Sequence, residues 1–161
     1  MSEAKNRTMI PKEFFVTNGK AFSNVSKLNA FDQALENAGI SQCNLVPVSS
    51  ILPPKCKEIK LKKMPVGSIT HVVMARMDGE GETTIGAGVA WAWEKNKKYG
   101  LVAEAYGCMD QKALEEALEI KVKEMAIIRK IEIGEINYRI EVLKIPGGKY
   151  GCAVAALVYV P

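Results

Sequence analysis

At 161 residues, with 48% hydrophobic and 25% charged side chains, the chain has the make-up of one globular domain with a buried core, not of a disordered or fibrous protein. Its formal charge of +4, from 22 basic and 18 acidic residues spread along the sequence, argues against a nucleic-acid surface. No apolar run approaches the roughly 18 residues of a membrane span and no secretory block opens the chain, so a cytoplasmic protein with no membrane contact is expected.

Met1 to Arg7 are small or polar and are expected to lie outside the packed fold. A first strand is predicted at Glu13 to Thr17, followed by a turn at Asn18-Gly19. A helix follows from about Ala30 to Ala38, with Asn29 as N-cap, Phe31, Leu35 and Ala38 on one face, and Gly39 ending it. Cys43 to Val48 reads as a short apolar strand running into Ser49-Ser50-Ile51-Leu52 and then Pro53-Pro54. Two prolines cannot donate to a ladder, so the chain leaves the sheet there or lies on its edge. The serine pair thus falls at a strand exit, where backbone strain is easily held.

Further strands are predicted at Lys57 to Leu61, Ser68 to Met77, Thr83 to Trp93 and Tyr99 to Tyr106, with Asp78 to Gly81 as the turn between the second and third. The strongest helix signal runs from Gln111 to Lys130. Leu114, Leu118, Val122 and Met125 recur at helical spacing, and Asp110 is placed to cap the start. Asn137 to Leu143 alternates like a half-exposed strand, whereas Cys152 to Tyr159 is continuously apolar and so buried on both faces. Many strands with two main helices predict an α+β domain.

Several tempting features have plain readings. Cys43, Cys56, Cys108 and Cys152 are scattered, without a CxxC pair, and predict free thiols, with no metal site. His71 lies in a strand pattern with no hydrolase motif around it. Gly81 to Gly88 lacks the spacing of a phosphate loop. Trp91 and Trp93, two apart, share one strand face and read as core or subunit contact. The basic stretch Lys55 to Lys63 alternates with apolar residues, as a half-exposed strand does. The glycosylation-like triplets starting at Asn6 and Asn24 carry no meaning in a cytosolic chain.

The segment Leu28 to Pro54, LNAFDQALENAGISQCNLVPVSSILPP, resembles the archaeal pyruvoyl-dependent arginine decarboxylases, whose pattern is close to LNAFDxALxxAGIxxxNLxxxSSIxPP. Met64 to Gly67, Gly81 to Ile85, Gly100 to Glu104 and Gly151 to Ala153 continue the resemblance in the family's order, so it covers nearly the whole chain. It implies a layered αββα sandwich of the pyruvoyl-dependent histidine and arginine decarboxylase type. It also implies self-cleavage of the single domain, residues 1–161, into a β chain (1–49) and an α chain (50–161).

The residue types suit that chemistry. In an N-to-O acyl shift the Ser50 hydroxyl attacks the Ser49 carbonyl carbon, and the peptide becomes an ester. β-Elimination then leaves a carboxylate on Ser49 and a dehydroalanine at position 50, which tautomerises and hydrolyses with loss of ammonia. The product is a pyruvoyl group, a covalent electron sink derived from Ser50 that replaces an added cofactor. Once a substrate amine has condensed with it and carbon dioxide has left, an acid must protonate the α-carbon.

The resemblance assigns that acid to Glu104, whose pKa burial would raise, and places Asn44 near the cleavage site. It assigns Asp32 to the substrate guanidinium, which a carboxylate can take bidentately, together with the backbone carbonyls of Leu28, Ser41 and Cys43. Ser41-Gln42-Cys43 departs from the family's glycine-bearing sequence there, although backbone carbonyls survive side-chain changes. The implied reaction converts L-arginine to agmatine and carbon dioxide, an entry to polyamine synthesis. The implied assembly is a homotrimer of cleaved protomers with sites between neighbours. Two other readings stay open: a pyruvoyl decarboxylase for another amino acid, and a non-catalytic paralogue acting as an assembly subunit.

Overall fold

The computed structural model describes residues 8–161, so the expectation for Met1 to Arg7 and the Asn6 triplet lies outside the described residues. Two sheets stack face to face, with one helix on each outer side. The five-stranded sheet has the order β2 (Asn44–Pro47), β5 (Ile69–Glu80), β9 (Tyr150–Val160), β1 (Glu13–Ser23) and β4 (Lys57–Glu58). The four-stranded sheet has the order β3 (Ile51–Leu52), β7 (Gly100–Gly107), β6 (Thr84–Trp93) and β8 (Asn137–Lys144). Helix α1 (Lys27–Asn37) covers the first sheet and α2 (Gln111–Arg129) covers the second. The expected αββα sandwich is the observed architecture.

Strand β9 is the spine of the first sheet, antiparallel to β1 on one side and β5 on the other. Its alternate residues feed two cores, which is why its sequence is apolar without a break. Val154, Ala156 and Val158 pack under α1 with Ala30, Ala34 and Phe15. Ala155, Leu157 and Tyr159 face the second sheet, where Phe14, Val73, Val89, Trp91 and Val102 meet them. Trp91 and Trp93 both belong to this inter-sheet layer, and the Trp91 ring meets Phe14 edge-on at 6.5 Å between centroids. A third core joins α2, through Leu114, Leu118 and Val122, to the alanines of β6 and β7.

The expected elements appear with instructive shifts. Asn18-Gly19 is not a turn: β1 runs straight through it to Ser23. Glycine is needed there because α1 lies so close that a Cβ would collide with the Ala34 carbonyl. Helix α1 starts earlier than expected, with Ser26 as N-cap accepting from the Asn29 amide at 3.1 Å. Asn29 sits inside the first turn, returning a side-chain acceptor to the Ser26 hydroxyl, and Gly39 ends the helix with a left-handed φ of 78°. Asp110 caps α2 as expected, accepting from the Ala113 amide at 2.9 Å.

The strand expected at Lys57 to Leu61 shortens to Lys57–Glu58, a parallel partner at the edge of β1. Strand β5 continues through Asp78-Gly79 to Glu80, so the turn begins only at Gly81. Among the described residues no helix is long and apolar enough to cross a membrane.

Candidate active site

The serine pair lies where the chain crosses between the sheets. Strand β2 is an edge strand parallel to β5, and its ladder runs on through the Val48 N–H, which donates to the Val72 carbonyl at 2.8 Å. Three residues later the chain belongs to the other sheet, where Ile51 and Leu52 pair with Leu101 and Gly100. Pro53-Pro54 then takes it out of that sheet, the exit the sequence predicts, after a two-residue strand too short to read from periodicity.

The crossing is fastened by consecutive carbonyls bonded from different elements. The Val102 N–H donates to the Ser50 carbonyl at 2.8 Å, and the Tyr159 hydroxyl donates to the Ile51 carbonyl at 2.7 Å. In an antiparallel ladder such bonding alternates sides, so the Ile51 carbonyl turns away from β7 and needs a partner elsewhere. Tyr159 suits this role because burial, reinforced by Cys56, pushes its phenol above the ordinary range and keeps it a donor. Strain is not stored at the serines as left-handed backbone. Among the described non-glycine residues positive φ occurs at Lys55, Glu82, Lys97 and Lys130.

Beside Ser49 and Ser50 opens a concavity of about 360 Å³, with Val102, Ala103 and Glu104 of β7 on one wall and Lys121, Met125 and Arg129 of α2 on another. Glu104 reaches solvent, yet loss of hydration raises its carboxyl above the usual carboxylate range, with the Lys121 charge pulling the other way. The three α2 residues were not among the expected site residues. Their spacing of four puts them on one helical face, but in the sequence two cations eight residues apart read as solvated surface.

The remaining expected residues gather elsewhere. Asn44 opens β2, its side-chain amide donating to the Gly67 carbonyl at 3.0 Å, and the extended strand from Asn44 to Val48 spans about 13 Å. Leu28 and Asp32 are exposed and lie four apart on α1, one above the other. Glu36 continues that row and accepts from the Ser41 hydroxyl. Because α1 starts at Lys27, the Leu28 carbonyl already serves as an intrahelical acceptor, with its second lone pair remaining. Ser41 and Cys43 lie half-buried in the link from α1 to β2. The chain thus brings Ser49, Ser50 and Glu104 together, while Leu28 and Asp32 on α1, Ser41 and Cys43 in the following link, and Asn44 at the start of β2 lie outside that concavity.

The two stacked sheets with a helix on each outer side are the fold of the pyruvoyl-decarboxylase class. A solved pyruvoyl-dependent histidine decarboxylase superposes with a TM-score of 0.50 at 16% identity, covering 62% of this chain and 53% of that one, so the match spans about half the length of that protein. The particular family follows from the sequence: the family model for pyruvoyl-dependent arginine decarboxylase (PvlArgDC) matches residues 13–161, and the chain belongs to that family. The chain is 39% identical to the pyruvoyl-dependent arginine decarboxylase of Methanocaldococcus jannaschii over 134 residues, 80% of this chain and 78% of that one. It is 36% identical to that of Methanothermobacter thermautotrophicus over 152 residues (89% and 93%) and 31% identical to that of Methanopyrus kandleri over 150 residues (93% and 97%).

Proposed function

We propose that the protein decarboxylates L-arginine to agmatine and carbon dioxide, using a pyruvoyl group derived from its own Ser50. The observation that carries this reading is the placement of Ser49 and Ser50 on a doubly anchored crossing that faces Glu104 in one cavity. The fit to a pyruvoyl group is local: position 50 has the β-hydroxyl the conversion needs, and its carbonyl is already held by the Val102 N–H. When formed, that group supplies an electron sink for the carboxyl that leaves.

The chain's own residues do the rest. Processing begins with attack of the Ser50 hydroxyl on the Ser49 carbonyl and ends with residues 1–49 and 50–161 as separate chains. Fixing the Ser50 and Ile51 carbonyls leaves the Ser49–Ser50 peptide little freedom to escape that geometry. Glu104 delivers a proton to the substrate α-carbon; a carboxyl with a raised pKa keeps the proton to higher pH than an ordinary one. Asp32 takes the guanidinium, with the carbonyls of Leu28, Ser41 and Cys43 as further acceptors, and the Asn44 amide serves the reacting carbonyl of a neighbouring chain.

In one protomer these two groups lie on different elements, which favours a homotrimer in which Asp32 and Asn44 of one chain complete the Ser50 site of the next. Exposed apolar side chains at Leu28, Val46, Val48, Ile51 and Ile69 give such an interface something to bury. Four free thiols fit a reducing compartment, the cytoplasm.

The test is carbon dioxide release from a panel of amino acids by purified, processed protein. Release from arginine far above that from lysine, ornithine or histidine supports the reading. Release from another amino acid in arginine's place contradicts it.

A further inference from the structure

Helix α2 presents two cations to the Ser50 cavity, Lys121 and Arg129, and only one of them is tied to strand β7. The Lys121 ammonium donates to the main-chain carbonyl of Glu104 at 2.8 Å. Arg129 bonds within its own helix, to the Met125 carbonyl at 3.4 Å. The nearby carboxylate of Glu119 is taken by Lys123 at 2.5 Å, and Lys121 joins none of the salt bridges among the described residues. Lys121 thus spends its charge on the carbonyl of the very residue proposed to carry the proton.

We infer that Lys121 is a positioning residue for Glu104, its ammonium anchored on the Glu104 carbonyl so that a fixed positive charge and a fixed strand edge hold the carboxyl against the Ser50 cavity. The inference deepens the proposed function and rests on Glu104 being the proton donor. Loss of hydration makes the Glu104 carboxyl a weaker acid, and the adjacent ammonium opposes that. A donor works best with a pKa close to the operating pH, so a carboxyl left to burial alone would hold its proton too tightly. The other groups around Glu104 leave this role to α2. Strand β6 places Val89 opposite it, the crossing adds the Ser49 and Ser50 hydroxyls, and β3 adds only Ile51 and Leu52. Across the sandwich, β5 turns His71 to the same face as Val73, and Arg129 adds a second cation that is not tied to β7.

The experiment compares the processed, assembled wild-type enzyme with Lys121→Met, Lys121→Gln and Lys121→Arg. All three replacements are good helix formers at an exposed position, and both neutral ones are used in case one fails to assemble. Two quantities are read: the carbon-13 titration of the Glu104 carboxyl, assigned by its loss in Glu104→Gln, and the pH dependence of kcat. In the neutral variants the titration midpoint and the alkaline limb of kcat should both move up by about half a pH unit, the scale of one partly solvated charge a few ångström away. Lys121→Arg should restore both. A midpoint that stays put in both neutral variants overturns the role of Lys121 and leaves the assignment of Glu104 standing. A midpoint that moves while the kcat limb does not shows instead that Glu104 is not the donor, and the inference falls with it.

Discussion

Removing one hydroxyl tests how the cleavage site is held. Tyr159 is 6% exposed, and its hydroxyl is 2.7 Å from the Ile51 carbonyl, one residue after the scissile pair. In Tyr159→Phe the ring still fills the inter-sheet core, so the perturbation is close to a pure hydrogen-bond deletion. The Ile51 carbonyl points away from β7 and loses its partner. Leaving such a group unsatisfied costs about 1–3 kcal/mol, and access of water at this part-buried site puts the expectation at the lower end, about 1–2 kcal/mol. If processing needs the carbonyl held, the same energy appears in its barrier, a slowing of about five- to thirtyfold. Stability is best measured by urea unfolding on a Ser50→Ala background, where the chain stays intact, and processing by the rate at which two bands replace one on a denaturing gel. Equal stability with an unchanged processing rate would refute the reasoning. Lost stability with normal processing would confine Tyr159 to packing.

Three further outcomes are expected. Gly19→Ala forces a methyl into the Ala34 carbonyl of α1 and should destabilise the fold by about 1–3 kcal/mol in urea unfolding, unlike an alanine at Gly134, whose Cβ would meet the Trp93 carbonyl only at 3.8 Å. Because the folded-state pKa of Glu104 is raised, its contribution to stability is fully present below the unfolded-state pKa and is lost as pH rises from there through the folded pKa. Glu104→Gln should therefore have a higher Tm than the wild type at pH 8 and an equal one at pH 4. Asp32→Asn and Ser50→Ala should each abolish arginine decarboxylation, and co-expressing them should restore part of it if two chains build each site. Activity that stays absent in the mixed assembly would place the site within one protomer.

Much of this architecture can be read from the residues because local and tertiary demands agree there. Helix α2 has its Asp110 cap and its Leu114–Leu118–Val122 stripe, and β9 is apolar throughout because both of its faces are covered. The misreadings fall where a tertiary contact overrides a local signal. Asn18-Gly19 has turn chemistry, but its glycine serves close helix packing. The start of α1 moves to Ser26 because three good caps, Asn24, Ser26 and Asn29, compete within six residues. Strand β3 has two residues and no period to detect.

For the candidate site, the serine pair and Glu104 are legible only as part of a motif. The anchors Val102 and Tyr159 come from strands far along the chain, and one of them acts through its backbone, which no side-chain pattern reveals. Lys121 and Arg129 look like ordinary solvated charges until the fold turns that face of α2 towards Ser50. The separation of Asp32 and Asn44 from the Ser50 cavity within one chain is likewise invisible in a linear motif, where they stand only 18 and six residues away.

The central claim is that residue 50 becomes a pyruvoyl group at a new chain terminus. Denaturing mass spectrometry of the purified, active protein tests it most directly. The account predicts two chains: residues 1–49 ending in a free carboxylate, and residues 50–161 whose first residue lacks an amine and carries a ketone reducible by borohydride. A single unbroken chain of 161 residues with full activity and an intact serine at position 50 would contradict it.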